Sequence, residues 1–574
     1  MKNPIRLKID NRSVTVPEGS TILTAAAELS IPIPTLCYLD GHEHFTSCMI
    51  CAVEETKSGR LLPACSQAVS EGLQIETASE KVKAARKDAL DFLLSEHVGD
   101  CEAPCRRACP AHMDIPLMIR LIKEKRFADA IEVIKRDIAL PAVLGRICPA
   151  PCEKVCRRKA SDDPVSICYL KRFASDLDLT RDVPYRPEVK EKSGKKIAVV
   201  GAGPAGLAAA FYLLREGHEC TVYDRNARPG GMLRYGITRE NLPGSVLDAE
   251  IEQISRLGVE FRLEQALGSD VQLEELKKQY DAVVLTIGKV EPPLLENSGI
   301  ELSSRGIVIN KSTFATSVPG VFAGGNAAAE SRLAIRALAH GKGIAYSVSS
   351  YLSSEGFSGP SSAGGAAPSL PRPFDSRLGK LRSGEIEEFS KEAAAYGRVV
   401  PRSGFSKDAQ HPQPVNVIRK SGKKETFVLS TKVYEEYRKG YSEAEAVKEA
   451  ARCFLCDCRK PDSCKLRRYA EEYGADQGRF KLTERRKFER FVQHELVIYE
   501  PGKCIKCGLC VQISKKAGED FGLTFVNRGF EARVEAPFKE PLSRGLQKTA
   551  WECVAACPTG ALAFREKLEG NKND

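Results

Sequence analysis

Ile5-Arg6-Leu7-Lys8-Ile9 places apolar residues at alternate positions, which predicts a strand with one buried face. Asp10-Asn11 supplies a turn, and Ser13-Val14-Thr15-Val16 alternates again as the returning strand. From Thr21 to Leu29 the apolar residues move to one helical face and alanine becomes frequent, so a helix is expected. Residues 81 to about 180 keep a helical spacing. From Lys195 to Leu352 strand-like and helix-like segments alternate, the pattern of an α/β domain. Ser353 to Pro373 is rich in Ser, Gly, Ala and Pro and reads as a linker. Polar, weakly patterned residues follow until Ser442, and Glu443 to Ala451 predicts a further helix. A chain of 574 residues divides into several domains. The expected boundaries are 1–80, 81–185, 186–352, an irregular linker over 353–425, and 426–574.

Composition is that of an ordinary globular protein, 42% hydrophobic and 28% charged. No run approaches the roughly 18 apolar residues of a membrane span, and Met1 to Asp10 has no signal-peptide core. The net charge of +10 comes from 86 basic against 76 acidic residues spread along the chain, and only 7% of residues are aromatic. That argues against nucleic-acid binding and suits docking of an acidic redox partner.

The cysteines change the picture most. Twenty of 21 fall in five tight groups, none spaced like a disulfide framework. Short C-x2-C and C-x3-C steps suit iron held by sulfur, with thiols kept reduced, hence a cytoplasmic protein. The strand–turn–strand–helix start followed by a cysteine loop suggests a β-grasp ferredoxin. Cys37, Cys48, Cys51 and Cys65 give the four ligands of a [2Fe–2S] site. Their spacing resembles the N-terminal ferredoxin domain of the complex I large subunit and of related hydrogenases and formate dehydrogenases. A zinc site or four structural thiols are the competing readings.

His97-x3-Cys101-x3-Cys105-x3-Cys109-Pro110, then Cys148-x3-Cys152-x3-Cys156 and Cys168, resemble the helical two-cluster domain of the glutamate synthase small subunit and of dihydropyrimidine dehydrogenase. The resemblance implies that Cys109, Cys148, Cys152 and Cys156 hold one [4Fe–4S] cluster and that Cys101 and Cys105 belong to a second. The family's first cysteine is replaced by His97. Lys171 and Arg172 stand near the place of the dehydrogenase's ligating Gln. Cys168, three residues before Lys171, shares its helical face. His97 and Cys168 are therefore expected to complete the second cluster, against readings as a helix-end histidine and a core thiol.

Lys196 to Val200 is a buried strand that runs into Gly201-Ala-Gly203-Pro204-Ala205-Gly206 and a helix. The first glycine makes the turn, the second admits a pyrophosphate, and the third lets helix pack on strand. The anion sits at the helix N-terminus, and Asp224 ends the next strand where an acid binds ribose. Gly230-Gly231-Met232, Thr286 with Gly288, and Gly324-Gly325-Asn326 resemble the flavin-side motifs of the glutamate synthase small subunit, which implies FAD. Asn326 stands where that family has Asp. The family also inserts its whole NADPH domain between the counterparts of Gly288 and Gly324. Residues 289–323 hold no second glycine fingerprint and are too few for such a domain.

Cys453, Cys456, Cys458 and Cys464, then Cys504, Cys507 and Cys510 with the distant Cys557, again resemble the complex I large subunit, whose first such site opens with a His-x3-C-x2-C-x5-C pattern. The spacing here places Cys453 and Cys456 in that cluster in place of the histidine. Cys553 and Cys220 are spare. The fold class expected is α/β and α+β multidomain. It comprises a β-grasp [2Fe–2S] ferredoxin, a helical two-cluster domain, a Rossmann-like FAD domain and a C-terminal [4Fe–4S] ferredoxin-like domain. The cofactors are FAD, one [2Fe–2S] cluster and four [4Fe–4S] clusters. The resemblances imply an electron-relaying subunit of a cytoplasmic complex. Its partners would be an NAD(H)-binding flavoprotein and a ferredoxin, hydrogenase or formate dehydrogenase. The alternative is a self-sufficient flavin enzyme acting on a small substrate at the open flavin face.

Overall fold

The computed structural model describes residues 3–290, 292–296, 298–331, 333–353, 374–378, 415–418, 424–427, 440–480, 486 and 488–565. The expected linker from Ser353 to Pro373 lies, beyond Ser353, outside the described residues. The chain forms two compact units, each discontinuous in sequence. The first is built from 1–103, 372–392 and 456–574; the second from 104–371 and 393–455.

In the first unit, β1 (Pro4–Ile9) and β2 (Arg12–Pro17) pair antiparallel as the alternation predicts, with Leu7 against Val14. Thr21 caps α1 (Ile22–Glu28) through its side-chain oxygen. With β3 (Ala52–Glu55), β4 (Leu61–Pro63) and β5 (Gln74–Glu76) the strands make a mixed sheet in the order β2-β1-β5-β3-β4. Its inner face buries Leu7, Ile9, Val53 and Ile75 against Ile22 and Ala26. Ser79 caps α2 (Glu80–Ser95). The buried Arg86 of that helix donates to the Ala52 carbonyl at 3.2 and 2.9 Å and to the Tyr473 hydroxyl at 2.9 Å, fixing the helix to the sheet. The C-terminal part of this unit carries helices Lys465–Glu472, Leu509–Lys516 and Ala550–Ala556, with strands Val497–Tyr499 and Leu562–Phe564 antiparallel.

The second unit opens with helices α3 (Pro104–Ala108), α4 (Ile115–Lys123), α5 (Phe127–Asp137), α6 (Pro141–Ile147), α7 (Pro151–Lys154) and α8 (Ile167–Leu179). Phe127 and Phe173 meet edge to face at 5.1 Å in its core. A parallel sheet follows: β6 (Lys196–Val200), α9 (Pro204–Arg215), β7 (Glu219–Asp224), α10 (Met232–Tyr235), α11 (Gly244–Ser255), β8 (Glu260–Leu263), α12 (Leu273–Gln279) and β9 (Ala282–Leu285). Between β9 and β12 (Val321–Ala323) the described residues hold a short 3-10 turn and the two-residue strands β10 (Leu302–Ser303) and β11 (Gly306–Ile307). The strand order is β12-β9-β6-β7-β8, all parallel, so the chain returns from β9 directly to its neighbour in one sheet. Helix α13 (Ala334–Ser353) lies along α9; a side chain at Gly341 would fall 2.2 Å from the Ala205 carbonyl.

Two polar ties join the cluster helices to this sheet domain. Glu250 of α11 accepts from the Ala142 and Val143 amides at 3.1 and 2.9 Å, capping α6. Lys342 pairs with Asp137. A backbone hairpin (Val415–Ile418 with Lys424–Phe427) interrupts the stretch expected to be irregular. Helix α14 (Glu443–Ala451) then starts on a Ser442–Glu445 capping box. Its Glu449 receives the Ser166 amide at 2.8 Å and the buried Arg452 at 2.7 Å. Among the described residues no helix is long and apolar enough to cross a membrane.

Candidate iron–sulfur and dinucleotide sites

The fold sorts the 21 cysteines differently from their order in sequence. Cys37, Cys48, Cys51 and Cys65 come together at the end of the first sheet. A thiol hydrogen bond from Cys48 pulls Cys37 down, and one from Cys65 pulls Cys51 down to about 7. Cys48 and Cys65 are pushed up in exchange, chiefly by their bonds to Cys37. The four sulfurs thus lie within hydrogen-bonding reach of one another, a set that iron could bridge.

Cys101 and Cys105 are expected to share a cluster; the division of the chain into two compact units passes between them, after Ala103. In the first unit Cys101 accompanies Cys458 and Cys464: the Cys458 amide donates to the Cys101 carbonyl at 3.2 Å, and both sulfurs act on Cys464 electrostatically. Burial raises Cys101 to about 11 and Cys464 to about 12. His97, in the turn after α2, and Cys458 both lie within electrostatic reach of Lys503. Part of the histidine reaches solvent, yet its Nδ1 is sealed and has no hydrogen-bond partner. Burial, then the ammonium of Lys503, lowers it to about 4, so the imidazole is neutral, as a metal ligand must be. A buried ring nitrogen without a hydrogen-bond partner fits a metal ligand. Lys503, 2% exposed and paired with Glu500, packs its stem where a side chain on Gly99 would sit. The sequence reading missed it; only its place before Cys504 marked it.

Cys504, Cys507, Cys510 and Cys557 line one small pocket, walled by Tyr499, Leu509, Val534 and Leu562. Four sulfurs in an apolar chamber suit a buried cluster. Cys553 does not line it; that thiol is 0% exposed in the core, and burial raises it to about 12. Cys220 is likewise a buried thiol of β7, pushed up by burial alone.

In the second unit Cys148 and Cys168 are hydrogen-bonded through sulfur, and Cys168 also bonds Cys152. Cys109 is within electrostatic reach of Cys148. These contacts bring Cys109, Cys148, Cys152 and Cys168 together. Cys105, Cys156 and Cys453 pack on the same helical core. The Cys156 and Cys453 segments are tied together: Arg158 donates to the Arg452 carbonyl at 2.9 Å and stacks over Phe454. Cys456 begins the third segment of the first unit. Among the described residues no three ligating side chains close on a single ion, a spacing that thiolates arranged around several irons need not meet.

The glycine loop has the geometry of a dinucleotide cradle. A side chain on Gly201 would fall 2.4 Å from the Thr286 carbonyl, and one on Gly206 would fall 1.8 Å from the Gly201 carbonyl. One on Gly203 would meet nothing within 4 Å, so that position opens to a ligand at the start of α9, with Pro204 in the first turn. Gly231 lies against Gly203, and the Gly230 amide donates to the Ala202 carbonyl at 2.8 Å. Met232 beside them is exposed. Thr286 Oγ1 lies 3.0 Å from the Gly201 carbonyl, which its hydroxyl supports, and Gly288 follows with φ +80°. A side chain on Gly325 would press on Ala205. Asp224 does more than the sequence suggested. One of its oxygens accepts the Ala202 amide at 2.7 Å and the other the Asn226 amide and side chain at 2.8 Å, so it braces the loop. Asn326 accepts the Ser331 amide at 3.0 Å. His340 escaped the sequence reading; its Nδ1 accepts the Gly325 amide at 3.2 Å, and burial lowers its pKa, keeping it neutral.

Substituting Gly203 with alanine is expected to leave thermal unfolding of the ligand-free chain almost unchanged while lowering flavin occupancy several-fold. Gly206→Ala should instead destabilise the fold, because its clash is with backbone. Differential scanning of the two variants with flavin analysis checks the contrast.

Residues 2–80 match the 2Fe-2S iron-sulfur cluster binding domain, and residues 81–183 match dihydropyrimidine dehydrogenase domain II, 4Fe-4S cluster. Residues 199–256 match an NAD(P)-binding Rossmann-like domain, and 244–341 a pyridine nucleotide-disulphide oxidoreductase. Iron–sulfur domains are fused here to a pyridine-nucleotide oxidoreductase domain. The chain is 42% identical over 219 residues (36% of this chain, 33% of the relative) to the NADPH-Fe(3+) oxidoreductase subunit beta of Geobacter sulfurreducens. It is 40% identical over 207 residues (32% and 29%) to the NADP(+)-dependent formate dehydrogenase subunit beta of Moorella thermoacetica. Against the glutamate synthase [NADPH] small chain of Mycobacterium tuberculosis it is 40% identical over 191 residues (33% and 39%). The chain thus spans about a third of the length of these curated relatives.

Proposed function

We propose that this chain relays single electrons between a bound FAD and a row of iron–sulfur clusters, as one subunit of a larger cytoplasmic oxidoreductase. The observation that carries the proposal is the arrangement of sulfurs in the first unit. Cys37 and Cys48 share one apolar core with Cys464 and Cys507. Cys507 feels Cys37, and Cys464 feels Cys557. Three ligand sets therefore follow one another through a single dry block: Cys37/Cys48/Cys51/Cys65, then Cys504/Cys507/Cys510/Cys557, then His97/Cys101/Cys458/Cys464. In the second unit Cys109/Cys148/Cys152/Cys168 form a fourth set. The ligands left over are Cys105, Cys156, Cys453 and Cys456. The split arrangement supports the resemblance to a complex I-type iron–sulfur module opened by a glutamate synthase-type domain.

When bound, flavin exchanges electrons in pairs or singly and the clusters exchange them singly. The chain's own residues position and insulate. The Gly203 opening and the α9 N-terminus hold the pyrophosphate, Asp224 keeps the loop in shape, and the apolar walls around the sulfurs exclude water. The single sheet between β9 and β12 leaves no second nucleotide fold in the described residues, so electrons are expected to come from a partner. An NAD(H)-oxidising flavoprotein, a ferredoxin, a hydrogenase or a formate dehydrogenase would serve.

Anaerobically purified full-length chain is expected to carry about 18 iron atoms and one FAD. Reduced ferredoxin should bleach it rapidly, and NADH or NADPH alone should not. Rapid bleaching by either pyridine nucleotide would favour a self-sufficient enzyme, and a colourless, iron-free protein would end the proposal.

A further inference from the structure

Lys171 stands alone among anion-poor surroundings. It is 3% exposed, and its Nζ lies 3.9 Å from Cys168 Sγ. Among the described residues no carboxylate stands within ion-pair distance of it. What surrounds it is sulfur: Cys168, Cys148, Cys152 and Cys109 all act on it electrostatically. A buried ammonium without an anion is costly. As neutral thiols the four cysteines would leave it unpaired, whereas as ligands to iron they are thiolates on an anionic cluster. The helix repeat explains the placement, since Cys168 and Lys171 are three apart on α8 and face the same way.

We propose that Lys171 is the built-in counter-ion of the cluster held by Cys109, Cys148, Cys152 and Cys168, and that its charge raises the potential of that cluster. The inference rests on the ligand set proposed above. Taking up one electron from a donor such as the neighbouring flavin adds one negative charge, with no bond made or broken. A fixed cation favours the more negative form, and the low-dielectric helical core strengthens the effect. Arg172 does not compete for this role: it is committed to Asp176 at 3.4 Å.

The test is a redox titration of the full-length, anaerobically prepared chain with dithionite as reductant, followed by electron paramagnetic resonance and iron analysis. Cys168→Ala identifies the signal of this cluster. Lys171→Met is expected to keep the iron and to lower the ratio of reduced to oxidised cluster in that signal at least tenfold at the wild-type midpoint, a shift of about 59 mV for one electron. Lys171→Arg, which keeps the charge, should restore most of it. If Cys168→Ala leaves every signal unchanged, the ligand set fails. If Cys168→Ala alters one signal and Lys171→Met leaves its midpoint unmoved, the counter-ion fails while the ligand set stands. Should Lys171→Met not load iron, Lys171→Arg decides: recovered iron supports the role, and continued absence overturns it.

Discussion

Cys458→Ala is expected to erase the same resonance signal as Cys101→Ala, and each should lower iron from about 18 to about 14 per chain. His97→Ala should alter that signal too. Cys105→Ala should leave it intact. The expectation follows from the backbone bond between Cys458 and Cys101, the shared influence of both sulfurs on Cys464, and the partnerless Nδ1 of His97. Grouping by sequence neighbourhood makes the opposite forecast, with Cys101 and Cys105 sharing one fingerprint. Anaerobic spectra of the variants decide between them. Losing this site should also loosen the first unit, because the Gly99–Cys101 segment is held from several directions. Ser376 donates to the Gly99 carbonyl at 3.0 Å, and Lys503 packs on Gly99. Removing one member of a buried polar set of this kind typically costs a few kcal/mol.

Glu250→Gln should flatten the pH dependence of stability between about pH 4.5 and 7. Burial raises the Glu250 carboxyl from 4.5 to about 7, against the pull of Lys135, the Val143 and Ala142 amides, and Arg146. Lys135 also faces Asp178 at 3.7 Å, which shares its charge. Below pH 4.5 the folded and unfolded chains both hold the proton, and Glu250 costs nothing. Between 4.5 and 7 the unfolded chain has released it and the folded chain has not. Stability therefore drains away as pH rises, by roughly 3 kcal/mol in all, and the loss is complete above 7. Glu500, held down to about 2 despite its burial by Lys503 and Arg490, contributes the opposite slope at more acidic pH. The difference between wild type and variant isolates Glu250. Amide exchange at Ala142 and Val143 in the full chain, followed from pH 5 to 8, is the direct measurement. An unchanged profile in Glu250→Gln would show that the carboxyl does not titrate there.

Much of the architecture was written in local pattern. The alternation of residues 5–9 and 13–16, the glycine loop after Val200, and the capped helix at Ser442 depend on near neighbours, and all three form where the pattern places them. The short gap from Gly288 to Gly324 was legible for the same reason: a count of residues bounds what can fold there. The cysteine partners were not legible, because they depend on which segments meet. An x3 spacing places Cys101, Cys105 and Cys109 on one face only if the helix is continuous. Pro104 starts a new short helix, and Cys101 stays outside it. The run from Cys453 to Cys464 looked like one ligand loop, yet the boundary between units passes through it. One clue was available. His97-x3-Cys101 and Cys458-x5-Cys464 are the two halves of the His-x3-C-x2-C-x5-C pattern whose histidine was thought missing. Lys171 was visible only as a residue unable to ligate; its burial among sulfurs turns that exclusion into a role.

The first unit is sewn from three stretches, and its His97 site is closed by residues at positions 101, 458 and 464. A ribosome delivers the first two of these ligands long before the last two. During synthesis the amino-terminal stretch must wait, half-built, while the whole second unit emerges and folds. Any product cut short before position 458 would carry an unfinished metal site with exposed apolar surface, a natural mark for proteolysis. On the proposed ligand sets, only a chain translated past Cys557 can be fully metallated.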